Sequence, residues 1–144
     1  MTKQLVLIDD DQDFLKLARI ALEQSKVDIS LRCIGNAPAT IECLRHLPDL
    51  NNLIVVTDLN MPEMSGVDVI TTIRKDEKLH SVPVLVLTYS SEQEDVVGCF
   101  KAGAQGFLLK PMGMTLLVNM FTNLARMWRF YVEEQAWLGK ATPS

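Results

Sequence analysis

Five short apolar runs punctuate this chain, at residues 5–8, 29–34, 53–56, 82–87 and 106–109. Between them lie stretches whose apolar residues recur every three or four positions. Three of the runs are nearly continuous in Leu, Val and Ile, which suits strands covered on both faces. Residues 29–34 alternate with polar side chains, which predicts a place nearer an edge. The first helical stripe is Phe14, Leu17, Ala18, Ala21 and Leu22. Ile41, Leu44 and Leu47 mark a second. Val67, Ile70, Ile73 and Arg74 mark a third, opened by Ser65-Gly66. Val96, Val97 and Phe100 mark a fourth, closed by Gly103 as C-cap. A long fifth pattern covers about residues 114–138. Strand and helix alternating five times predict an α/β fold: a doubly wound parallel sheet with helices on both faces.

Composition narrows the function. The 144 residues suffice for one domain with one buried core, and 48% apolar with 22% charged residues is ordinary for a globular chain. A net charge of −4 gives no electrostatic reason to expect nucleic-acid binding. No apolar run approaches the roughly 20 residues that span a bilayer. The N-terminus leads straight into a strand-like run, which argues against a secretory signal and for a cytoplasmic protein. The three cysteines, Cys33, Cys43 and Cys99, are scattered and read as reduced core residues. His46 and His80 fall in polar contexts and are expected to be exposed. Met61, Met64, Met112, Met114, Met120 and Met127 read as adaptable packing residues.

Polar groups sit where the apolar runs stop. Asp9-Asp10 ends the first run, Asp58 the third, Thr88 the fourth and Lys110 the fifth. In an open parallel sheet these carboxyl ends share one edge, where ligands bind. The pattern therefore predicts three carboxylates, a hydroxyl and an ammonium in one cleft. Carboxylates so close repel one another unless a cation intervenes. A ligand set of oxygens alone suits Mg2+ or Mn2+. The chemistry expected is attack by an Asp58 carboxylate oxygen on a phosphoryl group. The metal ligands expected are Asp9, Asp10, Asp58 and the Asn60 main-chain carbonyl. Lys110 would pair with one phosphoryl oxygen and Thr88 would donate to another. Lys110-Pro111 is a candidate cis peptide that would help aim the ammonium. Asp11 or Asp13 is the better candidate to cap the first helix.

The sequences Leu5-Val-Leu-Ile-Asp-Asp, Thr57-Asp-Leu-Asn-Met-Pro-Glu-Met-Ser-Gly, Val82-Pro-Val-Leu-Val-Leu-Thr and Ala102-Gly-Ala-Gln-Gly-Phe-Leu-Leu-Lys-Pro occur in that order. Together they resemble the CheY-like receiver domain of two-component response regulators. The resemblance implies five strands in the order 2-1-3-4-5 with five helices, the flavodoxin-like arrangement. It implies a receiver over residues 1–125 and a C-terminal extension of the last helix over 126–144. It implies phosphotransfer to Asp58 from a sensor histidine kinase, and a switch in which Thr88 moves while an aromatic at Phe107 rotates inward. Many members carry Tyr where this chain has Phe107, and a small residue where it has Tyr89. A histidine phosphotransfer protein is a possible relay partner. A weaker likeness to receivers that partner bacterial phytochromes rests on the aromatic-rich tail.

That tail includes Leu117, Met120, Phe121, Leu124, Trp128, Tyr131, Val132 and Trp137-Leu138. Twenty-five helical residues would reach about 37 Å, past a small domain's edge. The distal rings are therefore expected to seek a partner, a second copy joined along the fourth helix, fifth strand and fifth helix. No output domain follows in the sequence, so output is expected through protein contacts, dimer state or onward phosphotransfer. A haloacid dehalogenase-type phosphohydrolase would need an acid two residues past the nucleophile. Asn60 cannot fill that role, so an enzyme acting on separate substrates is not expected.

Overall fold

The structure is a computed structural model, and it describes residues 2–89 and 93–134. Strands β1 (Lys3–Ile8), β2 (Ile29–Ile34), β3 (Leu53–Asp58), β4 (Val84–Thr88) and β5 (Gly106–Leu109) form one parallel sheet in the order β2-β1-β3-β4-β5. Helices α1 (Gln12–Ser25), α2 (Thr40–Arg45), α3 (Gly66–Lys75), α4 (Gln93–Ala102) and α5 (Met114–Arg129) fill the crossovers. A 3₁₀ turn, Ala37–Ala39, leads into α2, and a π turn, Phe130–Glu134, prolongs α5. The expected doubly wound fold and strand order are present. The alternating run became the edge strand β2, as its polar residues required.

Alternate residues of each strand feed opposite cores. Val6, Ile8, Val55, Val84 and Val86 face α2, α3 and α4, where Leu44, Val69, Ile70, Ile73 and Cys99 meet them. Leu5, Leu7, Ile54, Val56, Leu85 and Leu87 face α1 and α5. Chain order reverses about β1, because β2 lies on one side and β3 on the other. The crevice at the carboxyl ends of β1 and β3 is the switch point of such a sheet.

Local signals explain the helix ends. The Asp11 carboxylate accepts from the N–H groups of Asp13 (3.0 Å) and Phe14 (3.1 Å), so it is the cap of α1. Ser65 and Asp68 form a reciprocal capping box that starts α3. Gly103, at φ +114°, ends α4 in a conformation that suits glycine.

Several packing expectations are corrected. In α1 the inward stripe is Phe14, Leu15, Ala18 and Ala21, while Leu17 and Ile20 face outward. Leu15 takes the slot assigned to Leu17, because Phe14 and Leu15 straddle the centre of the buried face. In α4, Val97 and Phe100 are exposed and Cys99 is buried. Cys43 is exposed and Cys33 half-buried, so only Cys99 is a core cysteine. Met112 and Met127 are also exposed, unlike Met120. His46 and His80 are exposed as expected.

The largest correction concerns the tail. Trp128 is only 1% exposed and lies in the α1–α5 core. Its indole N–H donates to the Asn52 side-chain oxygen at 2.9 Å, just before β3. Tyr131 and Val132 pack against the same core. A Cβ on Gly106 would lie 3.2 Å from the Tyr131 hydroxyl oxygen, so this glycine admits the ring against β5. Trp128 and Tyr131 therefore find burial on their own domain. Trp137-Leu138 lie outside the described residues.

A polar brace holds α2 to the turn after α3. Arg45 forms an ion pair with Asp76, whose other oxygen accepts from Lys78 N–H (2.9 Å) and Leu79 N–H (3.1 Å). The Arg45 hydrogen bond is the main reason the Asp76 carboxyl is held below its ordinary value. A depressed folded-state pKa stabilises the fold above the unfolded pKa of about 3.9, and the contribution fades as pH falls. Asp76→Asn should therefore lower the urea midpoint at pH 7, with the gap to wild type closing below about pH 4. A gap independent of pH would refute the charge argument.

Candidate functional site

Four of the five strands, all but β2, end in or just before the polar residues of the switch-point edge. Asp9 and Asp10 follow β1, Asp58 is the last residue of β3, and Thr88 the last of β4. Lys110 follows β5 directly. Backbone bonds fix these ends to one another. Asp9 N–H donates to Ile34 O (3.1 Å), Leu59 N–H to Leu87 O (3.0 Å) and Lys110 N–H to Thr88 O (2.8 Å).

Three carboxylates and the ammonium lie together. Carboxylate oxygens of Asp9, Asp10 and Asp58 all lie within 4.8 Å of one another. Lys110 Nζ stands 2.6 Å from Asp9 Oδ2 and 3.9 Å from Asp58 Oδ2. Asp9, Asp58, Thr88 and Lys110 are buried, whereas Asp10 is open to solvent. Asp10 lines a small cleft with Asn36, Pro38, Met61 and Glu63. Asp9 Oδ1 accepts from Asp11 N–H at 3.0 Å, and Asp58 Oδ1 from Leu59 N–H at 3.0 Å. Lys110 and Asp9 thus form a buried ion pair.

The electrostatics are unbalanced. Burial pushes the Asp58 carboxyl up to about 6, and the Asp9 and Asp10 charges push the same way. Lys110 and the Leu59 N–H pull against this without offsetting it. For Lys110, burial acts to lower the pKa, but Asp9 and Asp58 outweigh it and the ammonium is held more firmly than usual. Three carboxylates face one ammonium, leaving about two negative charges uncompensated. A hard divalent cation fits that deficit and that all-oxygen donor set.

Two aromatic rings complete the surroundings of Lys110. Its Nζ lies 4.4 Å from the Phe14 ring centre and 5.1 Å from that of Tyr89. The sequence marked Phe14 only as part of the first helical stripe and Tyr89 only as a departure from the small residue many members carry. The signal was present in the spacing: Phe14 lies in the first turn of α1, five residues past Asp9, and Tyr89 follows Thr88. Lys110-Pro111 is trans, as are all the described peptide bonds, so the cis expectation fails. The Asp9 contact and the Thr88 carbonyl hold Lys110 without that device. Phe107 is half-buried on the edge strand and belongs to neither core cluster. Asn60 lies two residues past Asp58 with its side chain exposed.

Comparison with known proteins agrees with this arrangement. The profile of the response regulator receiver domain matches residues 5–122. The chain is 44% identical over 108 residues to chemotaxis protein CheY-3 of Vibrio cholerae, covering 75% of this chain and 80% of that one. It is 32% identical over 123 residues to the transcriptional regulatory protein PrrA of Mycobacterium leprae. That match covers 85% of this chain and 50% of PrrA, so the chain spans half the length of this relative. Among solved structures, the phosphorylated cyanobacterial phytochrome response regulator RcpA superposes with a TM-score of 0.75 at 22% identity, covering 89% of this chain and 94% of RcpA. Motif order, strand order and the acidic cleft thus agree with the profile match, and the chain belongs to the response regulator receiver domain family.

Proposed function

We propose that this chain is a phosphoacceptor in a two-component phosphorelay, taking a phosphoryl group from a histidine kinase onto Asp58. The observation that carries this reading is the convergence of Asp9, Asp10 and Asp58 within 4.8 Å beside the Lys110 ammonium. An Asp58 oxygen attacks phosphorus, an O–P bond forms, and the P–N bond to the donor imidazole breaks. The donor nitrogen leaves with its electron pair and takes a proton. Lys110 offsets the phosphoryl charge at one oxygen and the Thr88 hydroxyl donates to another. Asp9, Asp10, Asp58 and the Asn60 carbonyl would hold Mg2+ or Mn2+, which supplies further charge neutralisation. Hydrolysis of the acyl phosphate resets the protein, which acts on no separate substrate. Phe107 and Thr88 form the switch pair, and a cytoplasmic location follows from the partner.

Output passes through the face formed by α4, β5 and α5. Val97, Phe100, Leu109, Met112, Leu116 and Met127 are exposed there. A groove of ≈ 540 Å³ runs between β5 and α5. The occupant that suits this apolar face is a second copy or a downstream receptor, with onward transfer to a histidine phosphotransfer protein as the alternative output.

Acetyl phosphate with Mg2+ should label the wild type once per chain and leave Asp58→Asn unlabelled, and chelation should abolish labelling. Gel filtration of both forms reads the association state. Label retained on Asp58→Asn would overturn the assignment.

A further inference from the structure

The Lys110 ammonium has two kinds of neighbour. On one side stand Asp9 Oδ2 and Asp58 Oδ2, at 2.6 and 3.9 Å. Also close to it are the ring faces of Phe14 and Tyr89, at 4.4 and 5.1 Å. The two rings differ in setting. Phe14 is 6% exposed and belongs to the core. Tyr89 is 63% exposed, so it contributes little packing, yet it lies over a lysine that is only 5% exposed. The sheet places it there. Thr88 pairs with Leu109 in the β4–β5 register, and Thr88 O accepts the Lys110 N–H at 2.8 Å. Residues 89 and 110 therefore leave the sheet side by side.

A lysine side chain is a mobile stem whose head prefers water. A ring face within 6 Å attracts the cation and replaces part of its hydration. We propose that Tyr89 is a positioning residue for phosphoryl transfer: with Phe14, it clamps the Lys110 ammonium through ring-face contacts and keeps it directed at the Asp58 carboxylate. This rests on the reading of Lys110 as the phosphoryl partner. It differs from a steric screen, in which only the bulk of Tyr89 would matter.

The test separates ring chemistry from bulk. Wild type, Tyr89→Phe, Tyr89→Leu and Tyr89→Ala are labelled with acetyl phosphate at saturating Mg2+, beside Asp58→Asn. The Lys110 ε-methylene proton resonances of each unphosphorylated protein are recorded, because ring faces shift them upfield. Tyr89→Phe keeps the ring and should keep both the labelling rate and the upfield resonances. Tyr89→Leu keeps the bulk but should label about two- to five-fold more slowly, the worth of an exposed cation–π contact. Its Lys110 resonances should move downfield. Tyr89→Ala should do the same. A Tyr89→Leu protein with wild-type rate and resonances would overturn the clamp, as would a Tyr89→Ala protein that labels faster than wild type. Either result leaves the acceptor assignment standing, provided Asp58→Asn stays unlabelled. Label on Asp58→Asn would remove the underlying reading itself.

Discussion

Trp128→Ala is expected to cost about 3–5 kcal/mol of folding stability, the range for removing a large buried aromatic. The ring is 1% exposed and lies against the α1–α5 core. Its loss also removes the indole N–H that donates to the Asn52 oxygen at 2.9 Å. For a chain of this size each kcal/mol shifts Tm by about 2–4 °C, so a fall near 10 °C is expected. Urea unfolding at two protein concentrations gives the measurement. Trp128→Phe should lose less, since it keeps most of the apolar volume. If Trp128 instead served an interface between chains, the monomer would tolerate alanine and only association would suffer. A loss below about 1 kcal/mol, well under the usual cost of truncating a buried aromatic, would contradict the docked position.

Asp58→Asn is expected to stabilise the metal-free protein at neutral pH. The folded Asp58 carboxyl titrates near 6, against 3.8 ordinarily, because of burial and then the Asp9 charge. An acid with a raised folded pKa favours the fold while protonated, and that advantage is lost as pH climbs from about 4 to about 6. Above that window the ionised group opposes folding by on the order of 3 kcal/mol. The amide carries no charge and escapes the penalty. With chelator at pH 7, Asp58→Asn should therefore be about 2–3 kcal/mol more stable than wild type, converging near pH 4. Mg2+ should narrow the gap, since a cation held by Asp9, Asp10 and Asp58 relieves the same repulsion. Equal stability at pH 7 in chelator would mean that the cleft holds no excess charge. Under the proposed acceptor role the substitution would trade function for stability, as expected where like charges are held together for chemistry.

The contrast between these two residues shows what was legible in the sequence. Asp58 could be read because it closes a fully apolar run, and parallel strands must bring their carboxyl ends to one edge. The same logic found Asp9, Asp10, Thr88 and Lys110. Trp128 was misread because periodicity gives the face of a helix, but not where the sheet beneath it stops. Asn52 and the space above Gly106 come from distant parts of the chain, and nothing local announces that they receive Trp128 and Tyr131. Leu17 failed for a related reason. Five apolar residues span more of a helix than one neighbour covers, and only packing against α5 decides which are left outside. The rings around Lys110 lay hidden because each had a sufficient local explanation. The trans Lys110-Pro111 bond shows the limit of reading a peptide isomer from its proline alone.

Gly66 carries a consequence for the order of the backbone around Asp58. Its N–H donates to Leu59 O at 2.8 Å, and a Cβ there would lie 2.5 Å from Asp58 O. The start of α3 thus rests directly on the backbone of Asp58, fastened further by the Ser65–Asp68 pair. The segment leaving β3 has no slack to lose. Under the proposed acceptor role, much of the ordering that a reactive carboxylate requires would be complete when the chain folds, and a phosphodonor would not have to freeze a wandering loop first.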